Sequence, residues 1–434
     1  MIHFVGGSKM SEIKLGADFY IVGGGVIGLC TALQLQSQGQ SVVILEADRV
    51  AAGTSWGNAG HIATEQVFPI ADPSIIKQLP AMLFDSLGPL RLDWNYLPKL
   101  FPWAIKLLLA MRDEPFQRTH EALKQINSIS LSAWQDFTNK WRLSKWVHTQ
   151  GSLLTAETQS SLLQLQQHGA KLATLGVAND FVAQSELIER EPALASNQLG
   201  ALFFPNTGHI SNLAEMYKVL IAHFVGMGGV ICEGCKVDKI RTEGQAVCLF
   251  TTQGEILVPN IMISAGAFSK PLVAQATGVE VPLDTERGYH LMLPNESHRL
   301  YVPVTSIDRR FIITPMQSGL RLAGTVEFAG LEKPANMQRA YNLLKLANPM
   351  FKQDLDGSQS VPWMGFRPST ADSLPVIDKL GRIYLNFGHQ HLGLTQAVVS
   401  ARLISDLYFN KPTAIDHNPY KLERFGRPIG NIFD

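Results

Sequence analysis

At 434 residues the chain exceeds what one hydrophobic core holds, so two domains are the starting expectation. Thirty-seven basic residues balance 37 acidic ones, with 17% of residues charged and 46% hydrophobic. That composition is ordinary for a folded globular protein and lacks the electrostatic footprint of a nucleic-acid binder. No apolar run reaches the about 18 residues needed to span a bilayer, and four cysteines are too few for a disulfide framework.

The first sixteen residues lack the apolar core of a secretory signal and read as an untidy leader, with the fold starting near Asp18. A reducing, cytoplasmic setting is expected. Phe19 to Val22 is a short apolar strand that runs into Gly23, Gly25 and Gly28, spaced G-x-G-x-x-G. A helix is predicted from Thr31 to Gln38, stopped by Gly39. A second strand, Ser41 to Leu45, ends on Glu46 and Ala47. Gly23 makes the tight turn, Gly25 lets backbone approach a pyrophosphate, and Gly28 lets helix and strand pack closely. The diphosphate sits on free N–H groups at the positive end of the helix, beside Val26 and Ile27. Glu46 is placed to accept hydrogen bonds from a ribose 2′-OH.

Ala51 to His61 is a run of small residues, with Thr54, Ser55, Asn58, Ala59 and Gly60, that allows backbone to lie flat against a ligand. Residues 66–170 read mostly as helices. Leu97 to Met111 is apolar, with Lys99, Lys106 and Arg112 nearby; packing on its own domain is the expectation, and contact with a membrane surface is the alternative. Asn212 to Gly226 reads as an amphipathic helix, Val230 to Ile240 and Ala246 to Thr251 as strands joined at Glu243-Gly244, and Ile256 to Ser264 as a strand entering Ala265-Gly266-Ala267. Cys232 and Cys235 are spaced C-x-x-C, but in a strand and turn without a second pair, so no redox or metal site is assigned. Tyr289 to Leu293, Leu300 to Val304, Phe311 to Pro315 and Leu320 to Gly324 alternate with turns, an antiparallel sheet signature. Trp363 to Pro375 precedes a strand, Ile383 to Phe387, then Gly388-His-Gln-His-Leu-Gly393-Leu-Thr395 and a helix whose apolar side includes Val398, Leu403 and Leu407.

Only one G-x-G-x-x-G fingerprint is present, so a substrate must itself be one redox partner of the bound cofactor. Four islands in order carry a resemblance: the fingerprint with Glu46, the Thr54-Ser55…Asn58-Ala59-Gly60 loop, Ile263-Ser-Ala-Gly266, and the pair Gly365-Phe-Arg367-Pro with Gly388-His-x-x-x-Gly393-Leu-Thr395. On these the chain resembles the FAD-dependent D-amino-acid oxidases and dehydrogenases, especially the bacterial dehydrogenases. Residues 66–360 resemble them only loosely.

The resemblance implies an α/β fold, α+β overall. A Rossmann-type FAD domain would comprise residues 17–65, 200–270 and 356–434, and a substrate domain of antiparallel sheet and helices residues 66–199 and 271–355. It implies FAD held without a covalent link. Val237 would meet the adenine, the Asn58–His61 loop would border the reactive face of the flavin, and Ala265-Gly266 would make a close turn. The segment from Gly388 to Thr395, with His389, His391, Leu392, Gly393 and Leu394, would set a helix N-terminus at the pyrimidine edge. Arg367 would fork onto a substrate α-carboxylate. The oxidases place a tyrosine beside that arginine where this chain has Phe311, so a second donor is sought in Tyr289 or His290, which strand alternation sends to opposite faces. The implied reaction oxidises the Cα–N bond of a D-amino acid. The alternative is a secondary amine or cyclic imino acid such as D-hydroxyproline, D-proline, sarcosine or glycine. A quinone or the respiratory chain is the implied acceptor, and a peripheral place on the inner membrane the alternative to a purely cytoplasmic one.

Overall fold

The computed structural model describes residues 16–70, 72, 79, 82–83, 85, 87–243 and 246–428. Most of the leader, and Gly244 of the expected turn, lie outside them. Phe19–Val22 and Val42–Leu45 are buried at every position, which is why they read as unbroken apolar runs. They sit inside a six-stranded sheet ordered Val230–Cys232, Val42–Leu45, Phe19–Val22, Ile261–Ile263, Ile383–Phe387, Val376–Leu380. All its pairs are parallel except the last. Helices Val26–Gln36 and Gly393–Tyr408 pack side by side on one face, sharing a core that includes Leu29, Leu33, Ala397 and Ile404. A second core, with Tyr20, Val43 and Ile263, joins the other face to the antiparallel strands Val237–Glu243, Ala246–Thr251 and Gly254–Val258.

A second, nine-stranded sheet runs Val361–Thr370, Leu283–Leu293, Gly319–Phe328, Phe311–Met316, Val304–Ser306, Ser152–Ala156, Gly200–Phe204, Asp180–Ala183, with Leu90–Leu92 beside Gly319–Phe328. It is antiparallel except where Val304–Ser306 meets Ser152–Ala156 and where Leu90–Leu92 pairs. The fold is therefore mixed α/β, as expected.

Several boundaries differ from the sequence expectation. The first helix begins at Val26, not Thr31, because Gly25 is its N-cap and Gly28 lies within the first turns. Val230 to Ile240 is two strands in different sheets, broken where Gly234 adopts φ +66°. Ile256 to Ser264 likewise splits, since Pro259 lacks the N–H to continue a ladder. Leu300 precedes its strand, which starts at Val304. Gly200–Phe204 and Val361–Thr370 pair within the nine-stranded sheet, so sheet membership departs from the boundaries at residues 200 and 356.

Helix Ser130–Trp141 packs on helix Gly393–Tyr408 within the first core. Trp134 is wholly buried, and its Nε1 donates to the Leu394 carbonyl at 2.9 Å. Trp134→Phe keeps most of the bulk and deletes the donor. Stability should fall by about 1–3 kcal/mol, read as a lower denaturant midpoint at unchanged slope.

Candidate active site

The strand Phe19–Val22 delivers its chain to Gly23, where φ is +104° and a Cβ would lie 2.5 Å from the Ser264 carbonyl oxygen. No residue but glycine fits such a turn. At Gly28 a Cβ would lie 2.0 Å from the Gly23 oxygen; this residue packs helix on strand and does not line the cavity. Glu46 closes the second strand, its carboxylate accepting from Gly24 N at 2.7 Å and Asp48 N at 3.1 Å. Ser55 Oγ accepts from Val26 N at 2.9 Å.

These elements frame a cavity of about 590 Å³. Its walls bring together Gly23, Gly25, Val26, Ile27, Glu46, Ala47, Thr54, Ser55, Asn58, Val237, Ala265, Gly266, Gly388, His389, Gly393 and Leu394. Residues from five separate stretches of sequence thus converge on one space. Ala59, Gly60, His61, His391, Leu392 and Thr395 do not line it. His61 pairs with His209 in a small separate sheet, Leu392 is in the core, and Thr395 Oγ1 accepts from Ala63 N at 2.9 Å. His391 is exposed, its Nε2 sharing a hydrogen bond with Gln66 Oε1 at 2.5 Å.

The cavity has the chemistry of an FAD site. Helix Gly393–Tyr408 reaches it with no side-chain cap and no acid in its first turn, so its partial positive charge is unspent. Asn386 Oδ1 and His389 Nε2 line it or border it as buried polar atoms without partners. Sequence reasoning missed Asn386, although an asparagine inside an apolar strand was a visible signal. It also missed Tyr217, whose hydroxyl donates to Ser55 O at 3.2 Å, and the wall residues Ser264, Phe366 and Pro368.

Next to the cavity lies the face of the nine-stranded sheet that carries Arg367. Phe366 and Pro368 line the cavity, while Arg367 between them turns the other way. It crosses Gly288, where a Cβ would sit 2.4 Å from the guanidinium carbon. Its Nη1 donates to Thr325 O at 3.2 Å. Thr325 is the extra residue of a β-bulge, with φ +61°, and the bulge aims that carbonyl. Burial lowers the Arg367 pKa, opposed by Glu286 on the paired strand. Burial raises the Glu286 pKa, opposed by Arg367.

Tyr289 and His290 do take opposite faces. The Tyr289 hydroxyl donates to Glu327 and accepts from Asn336 N at 3.2 Å, deep in a hydrophobic core, so it is remote from Arg367. His290 shares the face of Glu286 and Gly288. Its Nδ1 donates to Gly57 O at 2.9 Å, and its ring stacks on Trp363 at 5.0 Å. Trp363 fits only because Gly57 and Gly365 are bare; a Cβ would lie 2.3 Å and 2.0 Å from its ring respectively. Arg321 was also missed. It is 9% exposed, donates to Asn58 O at 2.5 Å, and leaves Nε buried without a partner. Burial, then the Arg321 charge, pushes the His290 pKa down to about 3. Cys232 and Cys235 occupy a strand end and turn, and burial raises both thiols, the reverse of activation.

A model of the family described as "FAD dependent oxidoreductase", DAO, matches residues 18–407. The chain belongs to this family. The chain is 30% identical over 421 residues to a D-amino-acid oxidase of Bradyrhizobium diazoefficiens, covering 94% of this chain and 99% of that one. It is 28% identical to a D-amino acid dehydrogenase of Vibrio vulnificus, covering 93% and 98%. The fold matches glycine oxidase from Geobacillus kaustophilus with a TM-score of 0.71 at 21% identity, covering 95% and 99%. L-proline dehydrogenase from P. horikoshii matches with a TM-score of 0.69 at 15% identity, covering 95% and 99%. The enzyme is thus an FAD-dependent oxidoreductase.

Four buried histidines make this region acid-sensitive. Burial lowers His61 to about 4 and His209, His290 and His389 to about 3. Each then takes up a proton on unfolding, so stability present above pH 6.5 is lost as pH falls. Glu65 and Glu191, raised by burial to about 7, act with the opposite sign, losing stability as pH rises from 4.5 to 7. Between pH 7 and 5 the denaturant midpoint of His209→Gln should depend on pH less by about one proton than that of wild type, since the variant lacks the imidazole that gains a proton on unfolding.

Proposed function

We propose that the enzyme is a dehydrogenase that oxidises the Cα–N bond of a D-amino acid. The imino acid formed is hydrolysed to a 2-oxo acid and ammonia, and a quinone carries the electrons away. The six-stranded sheet and its attachments would make the FAD domain, and the nine-stranded sheet the substrate domain. The observation that carries the reading is Arg367, a guanidinium held across a glycine on the sheet face beside the cavity. A planar fork matches a carboxylate bidentately. Relatives named D-amino-acid oxidase or dehydrogenase lend it support.

The chain's own residues divide the work. Gly23, Gly25, Val26 and Ile27 would hold the diphosphate, Glu46 the adenosine ribose, Val237 the adenine, and the helix beginning at Gly393 the flavin pyrimidine edge. FAD held there would supply the two-electron acceptor for the hydride leaving the substrate Cα. Arg367 fixes the substrate carboxylate, so its contribution is positioning. His290 stays neutral, and with Nδ1 donating to Gly57 its Nε2 is the acceptor for the substrate amine. The cofactor would be held without a covalent link, since His61 does not line the cavity.

Arg367→Ala should retain FAD while kcat/KM for the D-amino acid falls by about 2–5 kcal/mol equivalent, roughly thirty- to several-thousand-fold. Arg367→Lys should recover little, and an amine lacking the carboxylate should lose almost nothing. Because Arg367→Ala also strips Glu286 of its opposing charge, Arg367→Ala/Glu286→Gln controls for folding. Turnover of the amino acid within a few-fold of wild type would rule out the clamp.

For the acceptor, dye or quinone reduction should far outpace peroxide formation when both are assayed with the same substrate. Stoichiometric peroxide at a comparable rate would make the enzyme an oxidase.

A further inference from the structure

The face of the nine-stranded sheet opposite Arg367 carries Arg287, Tyr289 and Glu327. Helix Gln338–Ala347 packs over that face through Ala340 and Leu343. Where the helix begins, the surface dips into a recess of about 340 Å³, lined by Arg91, Trp94, Lys333 and Arg339 with the acids Asp93 and Glu327. None of these residues lines the cofactor cavity.

Both acids are engaged already. Asp93 pairs with Lys333 at 2.8 Å, and Glu327 accepts from the Tyr289 hydroxyl and pairs with Arg287 at 3.7 Å. Four cations, counting Arg287 behind the recess, thus meet two carboxylates. Arg91 donates to the Leu83 and Asp85 carbonyls, and Arg339 Nη2 to Val326 O at 3.1 Å and Pro89 O at 3.4 Å. Carbonyls orient these two guanidinium groups without neutralising them. Arg339 is 6% exposed, and its Nε is buried without a partner among the described residues. Burial lowers its pKa, Glu327 opposes that, and the neighbouring Arg91 charge lowers it again. Two like charges therefore share one recess, with an unanswered donor on the more buried of them.

We propose that this recess binds a phosphate dianion, free or as the ester of a small metabolite, and that its occupancy weakens substrate binding across the sheet. A phosphate carries a charge of about −1.5 to −2 and three acceptor oxygens, which answers a surplus of two cations. Guanidinium groups fork onto its oxygens, and Trp94, 63% exposed, offers an indole face to an ester's organic body. The coupling runs through the β-bulge at Thr325. Arg339 donates to Val326 O, and the preceding carbonyl, that of Thr325, accepts from Arg367 Nη1 at 3.2 Å. One arginine from each face of the sheet thus holds the bulge. An anion that draws Arg339 toward itself loosens one of those holds, so the carbonyl that aims Arg367 shifts and the substrate carboxylate binds less well. The coupling, unlike the site, rests on the reading of Arg367 as the carboxylate clamp.

The test is titration calorimetry of the FAD-loaded enzyme at neutral pH with inorganic phosphate and with phenyl phosphate, at an ionic strength fixed by chloride. Both should bind saturably; an ester about tenfold tighter identifies an esterified ligand, and equal binding the free ion. Arg339→Gln should weaken phenyl phosphate at least about thirtyfold. Should that variant misfold, Trp94→Ala/Lys333→Gln alters only exposed positions and should weaken it about tenfold with flavin and basal turnover kept. In the D-amino-acid assay, phenyl phosphate should raise KM about fivefold to a plateau with kcat little changed, whereas a competitor at the substrate site would raise KM without limit. The proposal falls if neither anion binds, or if Trp94→Ala/Lys333→Gln binds phenyl phosphate like wild type. It also falls if Arg367→Ala abolishes that binding, which would put the anion in the substrate site. Binding that leaves KM unchanged keeps the site and overturns the coupling, and turnover by Arg367→Ala then shows whether the clamp has failed with it.

Discussion

The approach of Gly23 to Ser264 sets the geometry on which the rest of the cofactor side depends. With a Cβ excluded at 2.5 Å, the turn can bend at once from strand into helix. Ser264 N donates to Val22 O at 2.9 Å, while Ser264 Oγ reaches Gly23 O at 3.1 Å. The two parallel strands are thereby stitched at the level where the cavity opens. Gly28 continues the close contact one turn later. Any side chain at these two positions would push the helix off the sheet and move its uncapped amides away from the space they serve.

On the sheet face that carries Arg367 a different constraint rules, the cost of burying charge. Arg367, Arg321 and Glu286 all lie among apolar strands, and the pKa shifts of the arginines and the glutamate run against their charged forms. Such groups add little to stability and persist where they specify an arrangement. Here the arrangement is costly in backbone terms too, since Thr325 is held at positive φ to answer Arg367.

The fingerprint was legible because its information is local: three glycines, an acid and two apolar runs fix the geometry within 30 residues. The parity of Tyr289 and His290 was equally legible, yet which of them faces Arg367 depends on the strands alongside. Arg321 was hidden because nothing within Leu320-Arg321-Leu322 announces the Asn58 carbonyl it meets, 263 residues away in sequence. Val230 to Ile240 misled for the opposite reason: apolar residues resume at Val237 beyond the turn at Gly234, so two strands of different sheets read as one. The Leu97–Ala110 helix showed its composition in sequence, but not that half of its apolar surface stays outside the core.

Strand Val361–Thr370 serves both sites at once. Thr54 clasps its Phe366 at both backbone groups, Phe366 and Pro368 wall the cavity, and Arg367 between them belongs to the other compartment. Alternate positions of one strand thus face different compartments. A deletion of one residue here would swap the two faces, turning the guanidinium into the cavity and a phenyl ring away from it. Divergence along this strand is therefore confined to exchanging side chains or shifting by whole pairs, so new specificities must arise at fixed chain length.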